Sequence, residues 1–417
     1  GMELSMSKIE TLGVVGAGQM GNGIAQVAAG VGLQVIMVDL DADACARGKA
    51  TIEKSLSRFV RKEKMTQAQA DEIGARVRTS TELTALADAD FVVEAVVERE
   101  DVKRSLFEQL DGICRPGVIL ASNTSSISIT RIAAATQRPD RVVGMHFFNP
   151  VRKMPLVEIV RGSKTSDEVV RETAALALRM GKTPVVVKDV AGFLVNRLLG
   201  PYLDEAIRLY TAGVSPERLD KLAEQFGMPM GPIRLLDEVG LDIAGHAALS
   251  LHAAYGDRMA PCTAIRPLLE AGHLGKKTGS GFYEHSGGKS AATAPQPNPK
   301  LSALAPQTST EGAELADSVI VDHLTFAMLA EGLRALGEGV TQTPDELDLA
   351  TVFGMGFAPF RGGLLRWADT LGAAEVQRRL ESLRASKLVQ ARGAGAARFD
   401  TPELLEKYAA EGRKFRP

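Results

Sequence analysis

The chain has 417 residues, of which 45% are hydrophobic and 24% charged, a composition typical of a globular protein with two or three domains. The formal net charge of -2 predicts no general affinity for nucleic acid. Without a bilayer-spanning apolar run or a secretory signal before the first predicted strand, the sequence favours a cytoplasmic protein with no membrane insertion. Cys45, Cys114 and Cys262 lie far apart, which predicts neither a metal site nor disulfides and fits a reducing compartment. Gly1-Met2 is typical of a cleaved expression tag.

A glycine-rich loop follows the first predicted strand. The apolar run 12–15 leads into Gly16-x-Gly18-x-x-Gly21, a predicted helix covers residues 22–30, and a second apolar run ends at Asp39. These glycines permit a tight turn, close approach of the backbone to a pyrophosphate, and close packing of the helix on the strand. Asp39 would accept hydrogen bonds from the adenosine ribose and repel a 2′-phosphate, so the motif predicts NAD as the cofactor. Gln19 and Met20, within the loop, are expected to contact it.

The first half of the chain alternates between strand-like and helix-like patterns. Residues 8–190 therefore predict a Rossmann-like, doubly wound α/β domain. Further predicted strands cover residues 91–93, 118–120, 142–145, 156–160 and 184–187. The polar segment 52–78 is too long for a simple crossover and predicts a helical hairpin inserted after the second strand.

Beyond residue 189 the pattern predicts helices only. We divide this half into an all-α domain at 191–285, a Gly/Ser/Ala/Pro-rich linker at 286–316, and a second helical domain at 317–417. Residues 226–232 are echoed by 353–359 and residues 219–223 by 347–350, at offsets of 127 (353 − 226) and 128 (347 − 219). These ordered echoes predict that the helical unit is duplicated in tandem, although convergent helix-turn composition is an alternative.

One histidine stands where two predicted strands meet. His146 ends one strand and Glu158 lies in the next. If these strands are neighbours, the carboxylate can hold one ring nitrogen while the other nitrogen takes a proton from an alcohol. The alternative is a histidine satisfied at a strand end and a carboxylate on an open edge strand.

Two further polar residues are candidates for substrate contacts. Ser125 follows the strand at 118–120, at the end of the predicted sheet where ligands bind, although serine is also a common helix cap. Asn196 opens the first helix of the helical domain and either reaches the active site or is only a polar residue on an interdomain helix.

Several motifs, in order and at matching spacing, resemble those of the L-3-hydroxyacyl-CoA dehydrogenase family. Besides the glycine loop they are Ser122-Asn123-Thr124-Ser125-Ser126, His146-Phe147-Phe148-Asn149-Pro150, Leu156-Val157-Glu158, Gly192-Phe193-x-x-Asn196-Arg197 and the segment 275–283. The tail, including residues 356–363, resembles the C-terminal portion of multifunctional fatty acid oxidation α-subunits, whose enoyl-CoA hydratase domain has no counterpart in this sequence. The chain is either a stand-alone dehydrogenase or a piece of a longer protein.

The resemblance implies a role for each matching residue. It implies that His146 is the catalytic base, Glu158 its partner, and Ser125 and Asn196 substrate-positioning residues. The implied cofactor contacts are Gly16, Gly18, Gln19, Met20, Gly21, Asp39, Glu98, Lys103, Asn149 and Lys277. Ser55 and Lys62, in the predicted hairpin, would join Ser125 in binding the CoA part of the substrate, unless this basic face is only solvated.

The resemblance implies NAD-dependent oxidation of an L-3-hydroxyacyl-CoA to the 3-oxoacyl-CoA. One alternative is an NAD-dependent dehydrogenase of a small hydroxy acid or sugar acid, and another is a non-catalytic NAD(H)-binding structural protein. Because short relatives pair through their helical domains, residues 317–417 are expected to pack on residues 191–285 as an internal pseudo-dimer. Asp322-His323 replaces Asn196-Arg197 there, which predicts no active site in the tail. Association with other β-oxidation enzymes is also expected.

Overall fold

The computed structural model of the protein describes residues 9–285 and 295–417. The predicted tag remnant and residues 286–294 of the predicted linker lie outside the described residues. The chain divides into two compact units, Gly1–Phe193 and Leu194–Pro417, and each unit is described by itself.

The first unit is built on an eight-stranded sheet. The strands are β1 (Thr11–Val15), β2 (Gln34–Val38), β3 (Val77–Ser80), β4 (Phe91–Glu94), β5 (Ile119–Ser122), β6 (Val142–Phe147), β7 (Leu156–Arg161) and β8 (Thr183–Lys188). Their order is β3-β2-β1-β4-β5-β6-β7-β8, and every neighbouring pair is parallel except the antiparallel pair β6 and β7. This topology confirms the Rossmann-like prediction, with the reversal of strand order between β1 and β4.

Helices of the first unit follow the strands. They are α1 (Gln19–Gly30), α2 (Ala42–Arg61), α3 (Gln67–Arg76), α4 (Glu100–Ile113), α5 (Ile129–Ala133) and α6 (Asp167–Arg179). Strands β4 and β5 are buried at every position, as their short, mostly apolar sequences require in a sheet covered on both faces.

The helical hairpin differs from its predicted bounds of 52–78. Helix α2 begins ten residues earlier, at Ala42, because the Asp41 carboxylate accepts a hydrogen bond from Asp43 N and caps the helix. At the other end, Val77 and Arg78 are not helical but begin the edge strand β3. The hairpin is therefore the crossover from β2 to β3, a strand that the sequence analysis missed.

The second unit is almost entirely helical. Its helices are α7 (Val195–Thr211), α8 (Pro216–Phe226), α9 (Pro232–Val239), α10 (Leu241–Tyr255), α11 (Arg266–Glu270), α12 (Leu301–Leu304), α13 (Asp317–Gly337), α14 (Pro344–Met355), α15 (Leu364–Leu371), α16 (Ala373–Ala385), α17 (Lys387–Gln390) and α18 (Glu403–Glu411). The longest two, α7 and α13, pack against each other.

Two details of the second unit depart from the expectation of helices joined by a plain linker. A two-residue strand β9 (Tyr283–Glu284) pairs antiparallel with β10 (Gln296–Pro297). The described part of the linker packs on the end of α7, where Thr308 N donates to Thr211 O and Gly312 N donates to Ala212 O. Among the residues that the structure describes, no helix is long and apolar enough to cross a membrane.

Candidate active site

The glycine loop leaves β1 through two positions that only glycine can occupy. Gly16 has φ +109°, and a Cβ there would lie 2.5 Å from Ala95 O. A Cβ on Gly21 would lie 1.9 Å from Gly16 O, so α1 packs directly on the loop. Gly18, in contrast, is exposed and has open space around it. The loop and the free N–H groups of the α1 N-terminus therefore suit a pyrophosphate.

Asp39 is fixed at the end of β2 beside this loop. Its Oδ2 accepts from Ala17 N at 3.1 Å and its Oδ1 accepts from Asp41 N at 3.1 Å. A cavity of about 410 Å³ adjoins the loop. It is lined by Ala17, Gly18, Gln19, Asn22, Ala44, Arg47, Gly48 and Thr51. Asp39 is half-buried and is bonded to Ala17, one of these lining residues, and its carboxylate is the kind of acceptor that a ribose hydroxyl needs, so these residues fit NAD.

The ends of β4 and β5 are tied together by a buried carboxylate. Glu94 is fully buried, and its carboxylate accepts from Ser122 Oγ at 2.5 Å and from Val96 N at 2.8 Å. Lys103, which is 1% exposed, donates its Nζ to the same carboxylate. This ion pair fixes where the chain leaves both strands.

Glu98 connects this pair to Ser125. Its Oε2 accepts from Ser125 N at 2.9 Å and from Ser125 Oγ at 3.0 Å, and its Oε1 accepts from Thr124 Oγ1 at 2.7 Å. Lys103 Nζ lies 3.5 Å from Glu98 Oε1. The structure therefore brings together three predicted site residues, Glu98, Lys103 and Ser125, at the carboxyl ends of β4 and β5.

His146 and Glu158 are direct partners across the antiparallel pair β6 and β7. His146 Nδ1 lies 3.0 Å from Glu158 Oε1, and the two residues are 6% and 0% exposed. The rings of Phe148 and Phe193 lie 4.5 Å and 5.9 Å from the imidazole, measured between ring centres. A carboxylate at this distance favours the tautomer with the proton on Nδ1, which would leave Nε2 to accept a proton.

Three contacts that the sequence analysis missed position the loop after His146. Asn123 Oδ1 accepts from Phe147 N at 2.8 Å, which ties the loop after β5 to β6. Gln19 Nε2 donates to Asn149 Oδ1 at 3.2 Å, which joins α1 to the same loop. Lys182 is buried, and its Nζ donates to Met154 O at 2.8 Å and to Val151 O. Burial lowers the pKa of Lys182. Each contact uses a backbone or amide group, so no sequence motif or residue spacing predicts it.

The predicted CoA contacts lie on α2. Ser55 Oγ accepts from Gln26 Nε2 at 2.9 Å, so this hydroxyl is held against α1. Lys62 is exposed at the C-terminal end of α2, next to the exposed Arg58 and Arg61. This end of the helix thus presents a cationic surface suited to phosphate groups.

Asn196 and Lys277 belong to the second unit. Asn196 is the second residue of α7, and the next residue, Arg197, is fully buried. Lys277 Nζ lies 2.6 Å from Asp242 Oδ1 at the start of α10, and this bond lowers the pKa of Asp242. Over residues 9–285 and 295–417, no group of three His, Cys, Asp or Glu residues could hold a metal ion.

Two family models match the chain. The family described as "3-hydroxyacyl-CoA dehydrogenase, NAD binding domain" matches residues 11–190, and "3-hydroxyacyl-CoA dehydrogenase, C-terminal domain" matches residues 192–285. The "fatty acid oxidation complex subunit alpha" of Psychrobacter sp. (strain PRwf-1) is 41% identical over 98% of this chain, and that of Acinetobacter baumannii (strain ACICU) is 40% identical over 96%. The chain spans 56% and 55% of these two relatives, which is about half their length.

Solved structures agree with these matches. A crystal structure of 3-hydroxybutyryl-CoA dehydrogenase from Escherichia coli K12 is similar with a TM-score of 0.84 at 30% identity, covering 97% of this chain and 99% of that one. The (S)-3-hydroxybutyryl-CoA dehydrogenase of Ralstonia eutropha is 45% identical with a TM-score of 0.65, covering 67% of this chain and 99% of that one. The chain belongs to the 3-hydroxyacyl-CoA dehydrogenase family and is an NAD-dependent dehydrogenase.

Proposed function

We propose that the protein oxidises an L-3-hydroxyacyl-CoA to the 3-oxoacyl-CoA, with His146 as the general base. The observation that carries this proposal is the buried pair of His146 and Glu158, 3.0 Å apart and linked through Asn149 and Gln19 to the glycine loop. A histidine that keeps one nitrogen on a carboxylate and offers the other is suited to remove a hydroxyl proton.

This geometry supports the following proton path. The substrate O–H bond breaks toward His146 Nε2 while the C3–H electron pair leaves as hydride and the C3–O bond becomes double. NAD held at the glycine loop and Asp39 would supply the acceptor for this hydride. The Glu158 carboxylate stabilises the imidazolium that forms, and in the reverse direction the same histidine returns the proton.

The other proposed roles use side chains at the strand ends and on the helices. Ser125 and Asn196 are proposed to orient the reacting oxygen, and Ser55 and Lys62 to bind the CoA part. The proposed cofactor contacts are Gly16, Gly18, Gln19, Met20, Gly21, Asp39, Glu98, Lys103, Asn149 and Lys277. Action in the cytoplasm and association with other β-oxidation enzymes are part of the same proposal, supported by relatives named as subunits of fatty acid oxidation complexes.

Turnover of matched substrates tests the proposed activity. L-3-hydroxybutyryl-CoA should be oxidised with NAD far faster than free 3-hydroxybutyrate or gulonate. Faster turnover of a free acid would replace the proposal with a dehydrogenase of small hydroxy or sugar acids. Tight NAD binding without turnover of any acyl-CoA would indicate a structural NAD(H)-binding protein.

We also propose that the helices from residue 317 onward are a diverged second copy of those in residues 191–285. Two repeated aspartate contacts support this. Asp220 accepts from Ile233 N and Arg234 N, and Asp348 accepts from Leu365 N and Arg366 N. Asp237 accepts from Phe282 N and Tyr283 N, and Asp369 accepts from Phe415 N and Arg416 N. The separation between the aspartate and its first N–H donor is four residues longer in the second copy (365 − 348 against 233 − 220). The sequence offset between the two copies is therefore not constant.

The pairing between α7 and α13 supports an internal pseudo-dimer. Arg197 on α7 pairs with Glu331 on α13, while His323 on α13 pairs with Glu205 on α7. His323 lies 126 residues after Arg197, and Glu331 lies 126 residues after Glu205. Each pair therefore joins a position in one copy to the corresponding partner position in the other, as a twofold axis requires. We expect the mass of one chain in sedimentation velocity at micromolar concentration. A dimer formed through α7 with the tail detached would contradict the pseudo-dimer.

A further inference from the structure

Arg197, the neighbour of Asn196, is held by residues of the proposed second copy. Its guanidinium is fully buried, with Nε 2.9 Å from Glu331 Oε1 and Nη1 2.6 Å from Glu338 Oε2. The ring of Tyr255 lies against the guanidinium, with its centre 4.4 Å from Cζ. The two carboxylates and the aromatic ring restrain this guanidinium, which ties the first turn of α7 to α13.

Glu331 is itself held rigidly. It is 1% exposed, and its two oxygens also bind Arg258 at 3.0 and 3.1 Å and Arg334 at 3.1 Å. The arginines around it hold the pKa of Glu331 below its usual range despite its burial. Glu331 is therefore ionised at neutral pH, and Arg197 meets a carboxylate that is already positioned.

The first turn of α7 is largely buried. Val195 and Leu198 are fully buried in this turn and fix its depth, and Arg197 adds a directional contact to Glu331 on α13.

The mirrored pair provides a built-in contrast. His323 Nδ1 lies 3.2 Å from Glu205 Oε2, and Glu205 also binds Arg392 and Arg398. The residue before His323 is Asp322, which pairs with Arg379 at 2.8 Å and has no proposed catalytic role. A buried contact between α7 and α13 thus stands next to a proposed substrate-orienting residue in one copy only.

We propose that Glu331 is a positioning residue that aims Asn196 through Arg197, so that the catalytic site is incomplete without the second helical copy. This inference rests on the proposed function, because Asn196 is proposed there to orient the substrate oxygen. Loss of the Arg197–Glu331 bond would let the first turn of α7 shift, and misplacement of an orienting group by about 1 Å can cost about 100-fold in rate.

A double-mutant cycle tests the inference. Glu331→Gln should lower kcat by about tenfold, with a smaller change in KM, in a background that retains Asn196. In the Asn196→Ala background the same substitution should change kcat less than about twofold, because the group it positions is gone. Glu205→Gln, which removes the equivalent buried charge of the mirrored pair, should leave kcat within about twofold in both backgrounds.

Three results would overturn the inference. The first is an equal kcat loss from Glu331→Gln with and without Asn196, and the second is the same loss from Glu205→Gln. The third is an unchanged kcat in a Glu331→Gln variant that folds. If Glu331→Gln does not fold, Glu338→Gln replaces it in this test, since Glu338 is half-exposed and also contacts Arg197. A wild-type enzyme that turns over no acyl-CoA would instead remove the proposed function, and with it the role given to Asn196.

Discussion

His146 Nδ1 lies 3.0 Å from Glu158 Oε1 across an antiparallel strand pair in which the two residues are direct register partners. Because both residues are buried, and the rings of Phe148 and Phe193 lie against the imidazole, little water competes for the bond. The carboxylate is therefore expected to set the tautomer of the imidazole.

Glu158→Gln tests the contribution of this carboxylate. The amide keeps the size of the side chain but no longer stabilises an imidazolium, so kcat should fall by about 100-fold or more. Initial rates of NADH formation measure the effect, and a thermal melt checks that the variant is folded. A rate within about twofold of the wild type would mean that Glu158 plays only a structural role.

Asp39→Asn tests cofactor recognition. Its carboxylate is held by Ala17 N and Asp41 N, and hydrogen bonds to a charged group contribute about 1.5–3 kcal/mol. We expect the Kd for NADH to rise about 10- to 100-fold and the discrimination against NADPH to shrink. Fluorescence titration measures both affinities. Asp41→Asn is the matched control, because asparagine also caps a helix well and Asp41 is exposed. Equal effects of the two substitutions would refute the assignment.

Glu98→Ala tests the link between Glu98 and Ser125. The substitution removes the acceptor for Ser125 N and Oγ, so we expect higher KM values for both NAD and the acyl-CoA. Ser125→Ala should raise only the KM for the acyl-CoA. Glu100→Ala, which removes a partly exposed carboxylate on the same segment that pairs with Arg131, serves as the control and should change neither. A Glu98→Ala enzyme with an unchanged KM for the acyl-CoA would show that the two residues act independently.

Asp220 is expected to contribute to the pH dependence of stability. Burial raises its pKa to about 6, against hydrogen bonds from Tyr283, Ile233 N and Arg234 N that lower it. The folded protein thus binds this proton more tightly than the unfolded chain. The resulting stabilisation is complete below the ordinary aspartate pKa of about 4 and is lost as the pH rises through about 6.

Asp220→Asn should therefore flatten the fall in Tm between about pH 4 and pH 7. Asp348→Asn should act in the same way, because burial raises the pKa of Asp348 to about 6 as well. Calorimetry across this pH range checks both variants. An unchanged slope in both would contradict the raised pKa values.

The sequence predicted much of the sheet because β1, β2, β4 and β5 are mostly apolar runs between turns. Strand β3 was missed because Val77–Ser80 is an edge strand with only Val77 buried, so its sequence carries no apolar run. The start of α2 was misplaced because a helix start set by the cap at Asp41 is not visible in hydrophobic periodicity.

The site divides in the same way. The sequence predicted that the glycine loop lies near Asp39 and that His146 lies near Glu158, because each pair stands at the ends of, or on, neighbouring strands. It did not predict the contacts of Asn123 and Lys182, because these side chains bind backbone groups whose positions only the folded chain defines. In the first unit, sequence motifs identified most of the candidate site residues. In the second unit, the repeated aspartate contacts became visible only as hydrogen bonds of the folded chain.

Turnover of L-3-hydroxybutyryl-CoA by the His146→Ala variant, followed as NADH formation beside the wild type, tests whether His146 is the general base. We expect the wild type to form NADH, and the variant to bind NAD with an unchanged Kd but to lose about 100- to 10,000-fold in kcat. A variant that keeps the wild-type rate would contradict this role of His146.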